Sequence, residues 1–240
     1  MATTYRQALN RVLEIIGEDK VTGAATALTA DYHLLVGAFF NDIMEQVQDA
    51  HNWRALRTVY TETIPSPASG IVLTGSTQDS RLIRLYQQNR GGYVPLVFDA
   101  TSGDTIGLQE LDLSELKYRQ VIDTETSTRP VFFALDNTNA NSDGISIIVH
   151  PAPSSSHIVQ VHMITPQARA DWESQATLDT NIKVPVRPLV MGTVWYCLED
   201  RGEELGTNAL FSEQRFMQAL DDAIARDAAE QGDNMELVSV

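Results

Sequence analysis

The sequence has few of the residues that would fix a compartment. It contains one cysteine, Cys197, among 240 residues, so no disulfide can form within the chain and a reducing compartment is the simpler expectation. Its longest uncharged apolar stretch, Leu189–Leu198, has about half the length that a membrane-spanning helix needs. The first residues lack the apolar core of a signal peptide. The sequence therefore predicts neither membrane insertion nor export by the usual route.

Basic residues are also scarce. The chain has 17 Lys and Arg residues against 32 Asp and Glu residues, which gives a net charge of −15. Because DNA is a polyanion, this average charge disfavours a protein that reads DNA grooves or holds DNA by its phosphates. An acidic surface commonly serves solubility. It also suits a surface that lies close to DNA without adhering to it.

Sequence signatures of catalysis are missing as well. The chain has no GxSxG nucleophile pattern, no HExxH pattern and neither glycine-rich phosphate loop. His150, His157 and His162 are close in sequence, but a spacing of five puts His157 and His162 on opposite faces of one strand. We interpret these histidines as polar residues at the ends of a hairpin and expect no zinc site.

The densest carboxylate group lies near the end of a predicted helix. Glu199 and Glu203, like Asp200 and Glu204, are one helical turn apart, so each pair could share a divalent cation if further ligands converged there. No such ligands are evident from the sequence. We therefore interpret the group as a solvated helix face or a subunit contact, and we expect no catalytic residue, no metal and no cofactor.

Helical periodicity occurs at both ends of the chain. Apolar residues recur at steps of three and four over about residues 5–16 and again over about residues 30–51. A third helix is expected from Pro185 onward, and a fourth over about residues 210–230. Both ends of the sequence are therefore predicted to be helical.

Between these ends the sequence has short β-like runs separated by turn residues. The predicted strands are Leu56–Ile64, Ile71–Thr74, Arg81–Gln87, Tyr93–Phe98, Val131–Leu135, Gly144–Val149 and Ile158–Ile164. A short helix is expected over Asp112–Arg119. The order helix, sheet, helix predicts an α+β protein in which the N- and C-terminal helices form a helical bundle with an inserted antiparallel β domain. The expected boundaries are 1–54, 55–177 and 178–240.

Three arginines form a basic island in this acidic chain. Arg81, Arg84 and Arg90 lie in or beside a predicted strand, where such charges commonly protect a sheet edge against aggregation. The alternative is that they bind an acidic partner, either a neighbouring subunit or DNA phosphate. We retain them as candidate partner-binding residues.

The last eight residues are too short to form a domain element, yet Met235, Leu237, Val238 and Val240 are apolar. One interpretation is a frayed end without a role. The other is an extended peptide that adds to a sheet edge or enters a crevice on a partner. These four residues are therefore candidate partner-binding residues as well.

Four parts of the sequence together carry a family resemblance. They are the long helix Asp31–Ala50 followed by Asn-Trp-Arg, the run Arg81–Tyr86, the segment Val194–Glu203 with its Arg-Gly-Glu end, and the closing helix Phe211–Gln231. This layout resembles the head–tail adaptor proteins of short-tailed phages, of the tail tubular protein A type. The resemblance covers nearly the whole chain, although its motifs are structural and diffuse.

The resemblance implies a structural virion protein without catalytic residues. Such a connector forms a homomeric ring, commonly of twelve copies, between the portal protein and the tail nozzle protein. DNA passes through the lumen during ejection without sequence-specific binding. The expected location is the head–tail junction of the virion, with the host cytoplasm as the place of assembly.

Two other classes of function remain open at this stage. The first is a carbohydrate-binding β-sandwich with helical appendages, in which Tyr86, Tyr93 and Trp172 would form an exposed sugar platform. The second is a hydrolase with unrecognised acidic residues. A ring-forming adaptor would associate with itself and with a portal, a binding module would saturate with ligand, and an enzyme would turn over substrate.

Overall fold

The protein is described by a computed structural model. The described residues are 3–21, 28, 31–77, 79–87, 92–101, 106–123, 126–127, 129–136, 144–202 and 207–231. They contain both helices and sheets, which confirms the predicted α+β class. No helix in this part of the chain is long and apolar enough to cross a membrane.

The helices occur near both chain ends, with one inside the β-rich region. They are α1 (Tyr5–Ile15), α2 (Asp31–Ala50), α3 (Leu113–Ile122), α4 (Gln175–Leu178), α5 (Val186–Asp200) and α6 (Thr207–Gln231). A short 3-10 turn, Arg54–Leu56, follows α2. The local reasons are visible in the sequence: the Thr4 side chain accepts a hydrogen bond from the Gln7 backbone at the start of α1, and Gly17 follows that helix with a φ of 78°.

The chain divides into two compact units. The helical unit comprises Met1–Leu56 and Gln167–Gly232, and the β unit comprises Arg57–Pro166. The sequence analysis places the second boundary later, after residue 177. The segment from Gln167 belongs with the helices because side chains of α2 bind its backbone: the Asn41 amide forms two 3.0 Å hydrogen bonds with Ala170.

Within the helical unit, α5 contacts α1, α2 and α6, so helices from both chain ends pack against one another. At Gly192, α5 comes very near to side chains of α2 and α6. A Cβ atom at Gly192 would lie 2.7 Å from Ile43 Cγ2 and 3.0 Å from Phe216 Cδ2. Only glycine fits there without displacing its neighbours. Trp172 fills another part of this core, edge-on to Phe40 with ring centroids 5.5 Å apart.

The strands of the β unit are mostly short. They are β1 (Arg57–Ile64), β2 (Gly70–Val72), β3 (Arg81–Leu82), β4 (Arg84–Gln87), β5 (Gly92–Pro95), β6 (Val97–Asp99), β7 (Ile106–Gly107), β8 (Gln109–Glu110), β9 (Thr126–Ser127), β10 (Phe132–Asp136), β11 (Ser146–His150), β12 (Ala152–Pro153) and β13 (His157–Ile164).

Two sheets enclose the core of this unit. The first has the order β1-β13-β6-β7 with β3 also paired to β13, and the second has the order β2-β11-β10-β8. Apolar side chains of both sheets form one buried cluster, including Val161 from the first sheet and Phe133 and Ile147 from the second. Helix α3 covers the other side of the second sheet, where Lys117 pairs with Asp136 at 3.0 Å.

The pairing is not wholly antiparallel, and two predicted strands are divided. β8 pairs with β10, and β9 with β12, in parallel two-residue contacts that are too short to leave a sequence pattern. The predicted run Arg81–Gln87 is split at Ile83, and the run Tyr93–Phe98 at Leu96. At that point the Leu96 N–H donates to the Ile83 carbonyl at 2.9 Å, and the chain passes from the first sheet into the β4–β5 hairpin.

Candidate functional site

A buried carboxylate in the β unit gathers several polar side chains. Asp99 is fully buried, and its Oδ2 accepts hydrogen bonds from Arg129 Nε at 2.6 Å and from His157 Nδ1 at 3.0 Å. Its Oδ1 accepts from the Thr101 hydroxyl at 2.5 Å and from the Thr101 backbone N–H at 3.1 Å. We call Asp99, Thr101, Arg129 and His157 the Asp99 cluster.

Strand geometry explains how these residues meet. Asp99 ends β6 and lies opposite Val159 of the antiparallel strand β13. His157 is two positions from Val159, so its side chain points to the same face of the sheet as that of Asp99. Both side chains therefore enter the interior, where a carboxylate without partners would be costly.

The partners decide the charge state of Asp99. Burial alone raises the pKa of this carboxyl group, but the hydrogen bonds from Thr101, Arg129 and His157 favour the ionised form and outweigh burial. The net result is an Asp99 pKa below its ordinary value. Asp99 is therefore ionised at neutral pH, and the His157 ring donates its Nδ1 proton to it.

The cluster partly resembles the order of groups in a serine hydrolase. Ser155 Oγ lies 3.4 Å from His157 Nε2, on the side of the ring away from Asp99. Two features differ from a charge-relay arrangement. Arg129 pairs with the same Asp99 oxygen that His157 uses, and the contact between Ser155 and His157 is long for a hydrogen bond. We interpret the cluster as a clamp that joins β6, β13 and the Arg129 segment.

Sequence reasoning missed this cluster. It predicted that His150 and His157 lie at the ends of a hairpin, which is wrong: both are buried, and the strands that they end, β11 and β13, belong to different sheets. His150 Nε2 lies 3.6 Å from Asp123, and His162 lies edge-on to Phe98 on the other face of β13, where burial lowers the His162 pKa. Asp99 carries no spacing signal, since Arg129 and His157 are 30 and 58 positions away in the sequence.

The structure describes two of the three arginines of the predicted basic island, and they lie on different strands. Arg84 Nη2 pairs with Glu110 at 2.6 Å, within the β unit. Arg81 lies on a different strand, β3, opposite Ile164. Arg90 lies outside the described residues.

Other predicted partner-binding residues are not part of the description. Met235, Leu237, Val238 and Val240 lie outside the described residues.

The structure describes only part of the carboxylate group near the end of α5. Helix α5 ends at Asp200, and Gly202 follows with a φ of 70°. Glu199 and Asp200 are therefore on its last turn, whereas Glu203 and Glu204 lie outside the described residues. No group of three or more His, Cys, Asp or Glu residues that could hold a metal occurs among the described residues.

Cys197 and Trp172 are core residues. Cys197 is buried, and burial raises the pKa of its thiol to about 12. Trp172 is only 6% exposed and packs against Tyr5 and Phe40, so the expectation of Trp172 in an exposed sugar platform is wrong. The side chains of Tyr86 and Tyr93 lie outside the description.

A groove in the helical unit has a volume of about 330 Å³. It lies between the start of α5 and the second half of α6. Its lining mixes Arg187 and Arg226 with Asp222, Asp227 and Glu230. Arg187 and Asp222 pair across it at 3.3 Å, and Asp227 also accepts from His51 of the segment after α2 at 3.0 Å. These contacts join the helices of both chain ends.

Comparisons with known proteins assign no family. No family model matches the chain, and no curated protein matches it.

Proposed function

We propose that the protein is a head–tail adaptor of a short-tailed phage, a ring-forming connector between portal and tail nozzle through which DNA passes. The observation that carries the proposal is the chain order: α5 from the C-terminal part contacts α1 and α2 from the N-terminal part, and the whole β unit is inserted between them. The head–tail adaptor proteins that the sequence resembles likewise combine a helical bundle made from both chain ends with an inserted β domain.

The distribution of charge supports a role beside DNA without adhesion to it. Residues 57–166 hold 7 basic and 11 acidic residues, whereas the remainder of the chain holds 10 basic and 21 acidic residues. The excess of negative charge thus lies mainly in the sequence of the helical unit. In a ring, each copy contributes −15, and the summed field would keep DNA from adhering to the lumen wall.

The polar chemistry supports a mechanism of shape, valency and interface burial. The Asp99 cluster is internally satisfied, and Arg84, Arg169 and Arg201 form ion pairs within their own units. Such groups stabilise a subunit that must keep its form under assembly. The ring would contain twelve copies, with the portal as the template that fixes this number.

The test is assembly with the portal. The purified chain is mixed with portal rings of the same phage, and the products are examined by mass measurement and by cryo-electron microscopy. We expect a second ring, with one copy for each portal subunit, stacked on the portal. A chain that remains free in the presence of portal rings would contradict the proposal, and turnover of a substrate would favour the hydrolase alternative.

A further inference from the structure

Two surfaces of the β unit expose uncharged side chains in an otherwise acidic protein. The first is the side of β1, β6 and β13 that faces away from the core, which we call the outer sheet face. The pair Arg57 and Ile164 lies at one end of this side. Its other residues are the seven Val59, Thr61, Thr63, Phe98, Ile158, Gln160 and His162. Val59 is 51% and Ile158 is 37% exposed. None of the seven is an acid, a lysine or an arginine.

The second surface is one side of α3. Tyr118, Val121 and Ile122 are 66%, 79% and 64% exposed, and their spacing of three and one puts them on the same side of the helix. We call them the α3 stripe. The opposite side of α3 holds the fully buried Leu116, so the stripe is exposed because the helix is already anchored by its other side.

The two surfaces lie on opposite sides of one unit. The outer sheet face belongs to the first sheet, whose other side contributes Val159 and Val161 to the core. The second sheet lies on the other side of the core, and α3 covers the far side of that sheet. There the Arg119 guanidinium carbon lies 4.8 Å from the ring centroid of Phe132 on β10. The order of layers is therefore outer sheet face, first sheet, core, second sheet, α3 stripe.

We propose that the outer sheet face of one copy binds the α3 stripe of the next copy, so that β units associate head to tail. A heterologous contact joins two different surfaces of a subunit, and its repetition forms a ring where the rotation between neighbouring copies closes and an open filament where it does not. Identical chains with a charge of −15 repel one another, so uncharged surfaces are where two copies approach at least cost. This inference rests on the proposed function and assigns its subunit contact.

The size of the surfaces sets the strength of the contact. At about 4.8 Å between strands and about 3.3 Å per residue, the eight residues of β1, the eight of β13 and the three of β6 present roughly 300 Å². A stable interface buries about 800 Å² on each partner. The contact is therefore weak between two free copies and gains from ring closure and from a portal that holds the copies side by side.

The inference is tested by sedimentation velocity on the free chain from micromolar to millimolar concentration. The average mass should rise with concentration. Gln160→Glu in the outer sheet face and Val121→Glu in the α3 stripe should each weaken association at least about tenfold, because each buries a new charge in an apolar contact. The matched control is Gln218→Glu, which adds the same charge at an exposed position of α6 and should associate as the wild type does.

A mixture of the two variants tests the head-to-tail geometry. We expect each variant alone to be a monomer. The Gln160→Glu protein still has an intact α3 stripe, and the Val121→Glu protein still has an intact outer sheet face. One intact contact is therefore available, and the mixture should form one-to-one dimers and nothing larger. Circular dichroism melting verifies the fold of each variant, and Thr61→Glu replaces Gln160→Glu if the latter unfolds.

Three outcomes overturn the inference: a wild-type chain that is monomeric at every concentration, variants that associate like the wild type, and variants that each form symmetric dimers alone. Portal binding by the wild-type chain is measured separately. Normal portal binding together with any of these outcomes overturns the assigned contact and leaves the adaptor function standing, whereas absent portal binding counts against the function.

Discussion

Gly192 on α5 faces Ile43 on α2 so closely that a Cβ atom at position 192 would lie 2.7 Å from Ile43 Cγ2. The two residues come from opposite ends of the chain and meet in the helical unit. This contact limits how the terminal helices can pack.

We expect Gly192→Ala to lower the free energy of unfolding by about 1–2 kcal/mol. The added methyl group overpacks the core, and this effect is larger than the stabilisation from the higher helix propensity of alanine. Urea denaturation followed by circular dichroism measures the change. In an Ile43→Ala background, which removes the obstructing atoms, the same substitution should cost less. Equal costs in both backgrounds would show that α2 and α5 do not meet at this point.

Asp99→Asn should lower the free energy of unfolding at pH 7 by about 2–3 kcal/mol, because Arg129 and His157 lose a buried anionic partner. The Asp99 pKa in the folded protein lies below its ordinary value of 3.8. The stabilisation is therefore present above that value and is lost as the pH falls through the folded-state pKa. The difference between wild type and variant, measured by urea denaturation, should shrink toward pH 2.

The matched control for this experiment is Asp19→Asn, at an exposed carboxylate of the helical unit. It should change the unfolding free energy by less than about 0.5 kcal/mol. A pH-independent effect of Asp99→Asn would contradict the charge argument.

Variants of Ser155 and His157 distinguish a structural role of the Asp99 cluster from a hydrolase active site. If the Asp99 cluster is structural, His157→Gln should lower the unfolding free energy by about 1–3 kcal/mol, while Ser155→Ala changes it by less than about 0.5 kcal/mol. Wild type and both variants should hydrolyse an activated ester at the same background rate. A wild-type rate that disappears in Ser155→Ala, with the fold intact, would identify Ser155 as a nucleophile.

Cys197 should resist thiol reagents in the folded protein. Because burial raises its thiol pKa to about 12, only about one molecule in ten thousand holds a thiolate at pH 8. Labelling by a disulfide reagent should be at least about a thousandfold slower than in the urea-unfolded chain. Unfolded protein, which should titrate one thiol per chain, is the control. Fast labelling of the folded chain would show that the α5 core opens readily.

Deletion of residues 233–240 tests the apolar chain end, which lies outside the described residues. We expect the truncated protein to keep the wild-type melting temperature, because eight residues are too few to form a domain element. Attachment to portal-containing heads should weaken, since a single tail contributes little but many tails on one ring act together. Replacement of Leu237 and Val238 by Ser is the full-length control. Equal attachment by all three forms would leave the tail as a frayed end.

Local patterns in the sequence predicted much of the secondary structure. The apolar spacing near residues 30–51 predicts α2, and the structure places this helix at Asp31–Ala50. The predicted strand Ile158–Ile164 corresponds to β13, His157–Ile164. Each of these elements repeats its pattern over two or more turns or pleats, so the signal survives in a single sequence.

The sequence by itself thus determined the α+β class and the positions of the longer elements, because periodicity is written into neighbouring residues. Only the tertiary structure decided that Trp172 is a core residue beside Phe40 and that His157 joins Asp99 in the interior. Each of these pairings depends on one residue at a distant position in the chain. A contact between two single residues leaves no periodic pattern in the sequence, and which residues meet depends on how the sheets and helices pack.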